Sequence, residues 1–154
     1  MNDQKLITWL LQNKFDISEP LQINQTITNA TTPLMHAARL GDLEVLNALL
    51  ARGADPALLN ADNNGALWFA CFADSEICAT TLIRAGAALD TRNVNGATAL
   101  IYCASAGKSL LVRLLLDAGA DTELMTLDDF TALELAANRE CMKMLKQAKV
   151  TAHV

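Results

Sequence analysis

Aromatic side chains make up only 5% of the 154 residues, so any core must be built mostly from leucine, alanine and isoleucine. Seven glycines and three prolines are too few for a loop-rich sandwich with many tight turns. The two histidines, His36 and His153, leave little room for acid–base or nucleophilic catalysis, which needs a base beside the reacting group. Cys71, Cys78, Cys103 and Cys141 show no CxxC or other close metal-ligand pairing and read as small buried apolar residues in a reducing compartment. No GxxxxGK[ST] or GxGxxG is present, so a phosphate cradle has no support. No stretch approaches the roughly 18 apolar residues that would span a bilayer, and Asp3, Gln4 and Lys5 stand directly before Leu6 where a secretory leader would carry a basic segment and an apolar run. A cytoplasmic protein without metal, cofactor or membrane contact is expected.

The composition that remains is that of a folded helical chain. Apolar residues at 52% can form a core, and 19% charged residues exclude a wholly disordered polymer. The length allows one domain or one short repeat array. A net charge of −5 argues against nucleic acid as a general partner, because displacing phosphate counterions needs a cationic surface. The charge is unevenly spread: residues 1–138 carry a balance of −8, whereas Arg139, Lys143, Lys146 and Lys149 against Glu140 give residues 139–154 a balance of +3. The simplest reading of that basic stretch is a solvated last helix whose cations suit its C-terminal dipole; a docking patch for something acidic is the alternative.

A repeat runs through the chain. Gly53, Gly86 and Gly119 are 33 residues apart, each followed by alanine, with Asp55 and Asp121 next in two of the three units. Leu34, Leu67, Leu100 and Leu133 keep the same step, as do the small residues that follow them and the pairs Leu49-Leu50, Leu82-Ile83 and Leu115-Leu116. Thr32-Pro33 sets a capping hydroxyl before a proline at the first helical position, and Thr98 and Thr131 keep the cap, the latter with Glu134 as a capping box. First helices are predicted near 33–39, 66–72, 99–105 and 132–138. Gly41 and Gly107 turn the chain into second helices near 43–51, 76–84 and 109–117, which Gly53, Gly86 and Gly119 end. Asp55 and Asp121 are expected to brace the loops through backbone N–H groups. No such unit can bury its own apolar face, so neighbours must stack.

The segments Thr32-Pro33-Leu34-Met35-His36-Ala37-Ala38, Gly41-Asp42-Leu43-Glu44-Val45, Leu49-Leu50 and Gly53-Ala54-Asp55 closely resemble the ankyrin-repeat pattern. The resemblance implies an all-α repeat fold, a solenoid of helix-turn-helix units joined by hairpin-like loops with capping units at both ends. Full repeats would span 27–59, 60–92 and 93–125. A truncated N-terminal unit with a long loop would occupy 1–26, residues 3–13 forming its one helix, with a C-terminal cap over 126–148 and a tail over 149–154. The family's histidine is replaced by Met35, Trp68, Ile101 and Glu134, and His36, one position later, reads as structural. The second unit departs most, with Gly65-Ala66 for Thr-Pro and Asp74 for the inter-helix glycine. Residues 62–80 should therefore exchange amide hydrogens before 98–118, unless Ser75 caps the second helix.

In ankyrin-like arrays the loop tips and first-helix faces form a concave strip that binds proteins. Carried over position by position, this implies Asn29, Thr31, Arg39, Asp62, Asn64, Trp68, Phe72, Asn95, Asp128 and Phe130 as partner-binding residues. Leu40, Asn138 and Arg139 occupy matching first-helix positions, and Leu127 a tip. Trp68, Phe69 and Tyr102 read as packing within the array, with a surface role the alternative for Trp68. Phe72 is open between burial and exposure, and Phe130 reads as exposed. Asp62, Asp128 and Asp129 would rim the strip with negative charge and favour a neutral or basic protein. The leading expectation is a monomeric, non-enzymatic adaptor that grips a protein partner. A structural or chaperone-like accessory subunit, and an enzyme or metal protein using the cysteines, are the competing readings.

Overall fold

Asn2, Thr32, Asp42, Ser75, Thr98 and Thr131 each turn a side-chain oxygen toward the backbone N–H three residues ahead, and a helix starts after each. These caps satisfy donors that the first helical turn leaves without partners. In the computed structural model, which describes residues 1–152, the helices are α1 (Asp3–Gln12), α2 (Pro33–Leu40), α3 (Leu43–Ala51), α4 (Ala66–Phe72), α5 (Glu76–Arg84), α6 (Ala99–Ser105), α7 (Ser109–Asp117), α8 (Ala132–Leu135) and α9 (Arg139–Ala152), with a 3-10 turn at Thr28–Ala30. His153, expected in a frayed tail, lies outside the described residues.

The helix ends repeat one hydrogen-bond pattern. After α3, α5 and α7, the N–H groups of Ala54, Ala87 and Ala120 donate to the carbonyls of Leu49, Leu82 and Leu115 at 3.0 Å, with Gly53, Gly86 and Gly119 at positive φ between them. After α1 the same motif forms with Lys14 at φ 66° and Phe15 N–H donating to Leu10 O at 2.9 Å. The turns within the hairpins use it too: Asp42, Ser75 and Lys108 donate to Ala37, Ala70 and Cys103, while Gly41, Asp74 and Gly107 hold the left-handed residue. Asp74 therefore does in the second unit what glycine does elsewhere. Ser75 does cap α5, through Cys78 N–H at 3.3 Å. The condition attached to the exchange expectation is thus met, and α7 starts from Lys108 with no side-chain cap.

Two compact units result, Met1–Ala87 and Ala88–Val154. In the first, α2 packs on α3 and α4, α4 on α5, and α3 on α5. Leu6, Leu10, Leu34, Leu46, Leu49 and Leu82 are essentially fully buried there, each worth roughly 2 kcal/mol in removed apolar surface. In the second, α6 packs on α7 and α8, and α9 on α7 and α8, around Leu100, Leu111, Leu115 and Leu145. All four cysteines are buried.

The last hairpin differs from the expected one. A first helix over 132–138 is not formed: α8 ends at Leu135, Ala136 turns to ψ 121°, and Ala137 N–H donates to Ala104 O at 2.9 Å. Asn138 then caps α9, accepting from Cys141 N–H at 2.8 Å, so the second helix begins at Arg139, three residues ahead of the repeat step. Asn138 and Arg139 consequently belong to α9 rather than to a first-helix face. The same helix runs to Ala152, past residue 148.

Candidate functional site

Each loop tip is a five-residue turn in which the first N–H donates to the last carbonyl at 2.9 Å: Ile27 to Thr31, Asn60 to Asn64, Asn93 to Ala97 and Thr126 to Phe130. A left-handed residue sits fourth in every one, namely Ala30, Asn63, Gly96 and Asp129. Asn60 and Asn93 hold their turns from inside. The Asn60 side-chain oxygen accepts from the N–H groups of Asp62 and Asn64, and that of Asn93 from Asn95 and Ala97. Below the tips, Asp55 accepts from Ala57 N–H at 2.9 Å and Asp121 from Glu123 N–H at 2.8 Å, the loop bracing read from their position.

Within Met1–Ala87 the structure brings together two groups of the expected site residues. Asn29 donates its side-chain N–H to Asp62 at 2.9 Å, and Asn29 O accepts from Ala61 N–H at 3.1 Å, tying adjacent tips. Higher on the first helices, Phe72 is 47% exposed, so the ring left open by the sequence reaches solvent. Trp68 stacks on it with centroids 5.6 Å apart and planes 17° from parallel, and the Arg39 guanidinium lies 5.9 Å from its centroid. Trp68 is half-buried and meets the edge of buried Phe69 at 5.3 Å, so it joins core to surface. Thr31 and Asn64, at the ends of their tip turns, are half-buried. Exposed Leu40 follows Arg39 and extends this apolar surface; its apolar character directly after an exposed arginine was the signal for it.

Within Ala88–Val154 the remaining expected residues lie along two tips. Asn95 is exposed, and its carbonyl accepts from Leu127 N–H at 3.0 Å. Asp128 and Phe130 share one turn, Phe130 being 46% exposed and its N–H donating to Thr126 Oγ1 at 3.2 Å. Leu127 in the same turn is the most exposed large apolar residue described. Lys108 Nζ lies 5.2 Å from the centroid of half-buried Tyr102, so this unit too sets a cation over an aromatic ring.

His36 is structural in its surroundings. Its Nε2–H donates to Asn13 Oδ1 at 2.8 Å, since the Asn13 amide nitrogen donates to Trp9 O. Trp9 and Phe15 meet the ring edge-on at 5.7 and 6.0 Å. Burial, then the neighbouring Arg39 charge, lower the imidazole pKa. Where the family histidine would stand, Met35 Sδ accepts from Thr32 N–H at 3.5 Å and Glu134 accepts from Thr131 N–H at 2.8 Å, so two units keep a loop-bracing bond with different chemistry. That backbone bond, followed by the Thr131 hydroxyl, lowers the Glu134 pKa.

A family model described as ankyrin repeats (3 copies) matches residues 1–93 and again 67–153. Among curated proteins, the chain is 30% identical over 125 residues, 80% of its own length, to an ankyrin repeat domain-containing protein, SAT10, of Stachybotrys chartarum. It is 36% identical over 63% of its length to ankyrin repeat and SOCS box protein 3 of Bos taurus, and 43% identical over 60% to protein PhlB of Serratia liquefaciens. The chain spans 6%, 19% and 41% of those three relatives, less than half of each. Ankyrin repeats are generally protein-interaction modules and generally non-catalytic, and no helix among the described residues is long and apolar enough to cross a membrane. With helical hairpins at the expected step and the family pattern matched along nearly its whole length, the chain belongs to the ankyrin-repeat family, an all-α helical-repeat solenoid fold.

Proposed function

We propose that the chain is a monomeric, cytoplasmic adaptor that binds a folded protein partner, without catalysis, through its loop tips and first-helix faces. The observation that carries this reading is the Arg39–Phe72–Trp68 stack, a cation and two aromatic rings held in order at the surface of Met1–Ala87. Ordered aromatic and arginine side chains are the commonest energetic anchors of interfaces, because little side-chain entropy is lost when they are covered. Asn29, Thr31, Asp62 and Asn64 would supply polar contacts beside that anchor. Asn95, Asp128 and Phe130 form a second set on the other unit, tested separately. Four buried cysteines, read as small apolar core residues, suit a reducing compartment.

The test is affinity capture from the native cell with the wild-type chain, the double variant Arg39→Ala/Phe72→Ala, and Ile77→Ala on α5 as a surface control. Loss of a stoichiometric partner in the double variant alone, at unchanged melting temperature, is the expected result. Capture that survives the double variant removes the first-helix face from the interface and favours the accessory-subunit reading.

A further inference from the structure

The cations of α9 do not follow the field of their own helix. Lys149 stands in the last turn, where a positive charge meets the negative end of the helix dipole, but Arg139 is the first residue and Lys143 lies in the second turn, near the positive end. All four cations are exposed, as a solvated helix requires, but the helix dipole accounts for Lys149 and not for Arg139 or Lys143. Arg139, Lys143 and Lys146 instead share one stripe with Met142 and Val150, while Cys141 and Leu145 on the opposite face are buried. That stripe is an open face of α9, with Met142 38% and Val150 67% exposed and Glu140 beside it. The twelve residues from Arg139 to Val150 give a face roughly 16 Å long, about three helical turns.

We propose that this face of α9 is a second docking site, independent of the first-helix surface, for an acidic amphipathic helix of a protein partner. Apolar residues of such a helix would cover Met142 and Val150, and its carboxylates would meet Arg139, Lys143 and Lys146, one helix packed on another with complementary charge along the seam. A protein helix fits better than a lipid surface or a nucleic acid. The rest of the chain carries a balance of −8 and would repel an extended polyanion, whereas a short helix is matched by the roughly 16 Å face alone.

The probe is a fluorescent peptide of about four helical turns, with leucine at i, i+3, i+4 and i+7 and glutamate elsewhere, titrated with the full chain by anisotropy at low salt. Expected is saturable binding that weakens about tenfold in Lys143→Glu/Lys146→Glu, a loss of 1.4 kcal/mol, and also in Met142→Ser. Phe72→Ala should bind the peptide normally, which separates this site from the one proposed above. A scrambled peptide of the same composition should bind about tenfold more weakly, and added salt should weaken the complex. If charge reversal perturbs the circular dichroism spectrum, Lys143→Gln/Lys146→Gln carries the same readout on a folded chain. Absence of saturable binding, or equal affinity for the scrambled peptide, would overturn the assignment. So would preference for phosphatidylglycerol vesicles or single-stranded DNA, or self-association that disappears in the lysine variants.

Discussion

Gly96 and Gly119 both hold positive φ, at 75° and 96°, but for different neighbours. A Cβ on Gly119 would meet nothing within 4 Å, whereas one on Gly96 would lie 2.8 Å from the Leu127 backbone nitrogen and 3.1 Å from Thr126 C. Gly119→Ala should therefore cost only the left-handed conformation, about 1 kcal/mol. Gly96→Ala adds a clash with backbone that cannot swing aside, for roughly 2–4 kcal/mol in total. Denaturant titration of the two variants checks the difference, and equal losses would show that the tip turn yields. Asp74 is the reverse case, a side chain where Gly41 and Gly107 have none, at φ 58°. Asp74→Gly is expected to stabilise the chain by about 1 kcal/mol and to slow amide exchange over 62–80. A neutral or lower melting temperature would mean that the carboxylate contributes something glycine cannot.

At the scale of an element, α9 depends on Asn138 twice. Its side-chain oxygen caps the helix, and its amide nitrogen donates to Gly107 O at 2.9 Å and to Ser109 Oγ at 3.3 Å, clamping the turn between α6 and α7. Asn138→Ala removes the cap and leaves the Gly107 carbonyl without that donor, so a loss of roughly 2 kcal/mol is expected. Asn138→Asp keeps the cap and loses the donor, and its melting temperature should fall between the two. The same element explains where sequence reasoning went wrong. Thr131 with Glu134 correctly marked the start of α8, but nothing in a 33-residue register says that the helix stops after one turn. Asn138 is a strong helix-starting residue that could have been read as a cap, had the repeat step not assigned it to the preceding helix.

At the scale of the whole molecule, both tryptophans lie in Met1–Ala87, so tryptophan emission reports that unit and can follow the charge on His36. Burial holds the folded-state pKa below the ordinary value of 6.5, so the unfolded chain binds more protons as pH falls through 6.5. Stability from the neutral imidazole is complete above 6.5 and is lost progressively until pH drops below the lowered pKa. Between pH 7.5 and 5.5 the wild-type tryptophan transition should move to lower denaturant, and that of His36→Leu should move less. Parallel shifts in both would place the titration elsewhere.

Fold class and most helix ends were legible because glycine, capping residues and paired leucines act locally: each restricts its own turn whatever lies beyond it. Among the described residues, seven of nine helices begin and end within a residue of the positions read from the sequence; α8 and α9 depart. The binding surface was less legible, since exposure depends on what packs against a side chain. Phe72, open on sequence, is held outside by Trp68 and Arg39, and Trp68 itself is neither core nor surface. Periodic local chemistry thus determined that this chain is a run of helical hairpins. Tertiary packing alone decided which aromatic rings meet solvent, where the last hairpin breaks register and which face of α9 carries its cations, because those follow from neighbours distant in the chain.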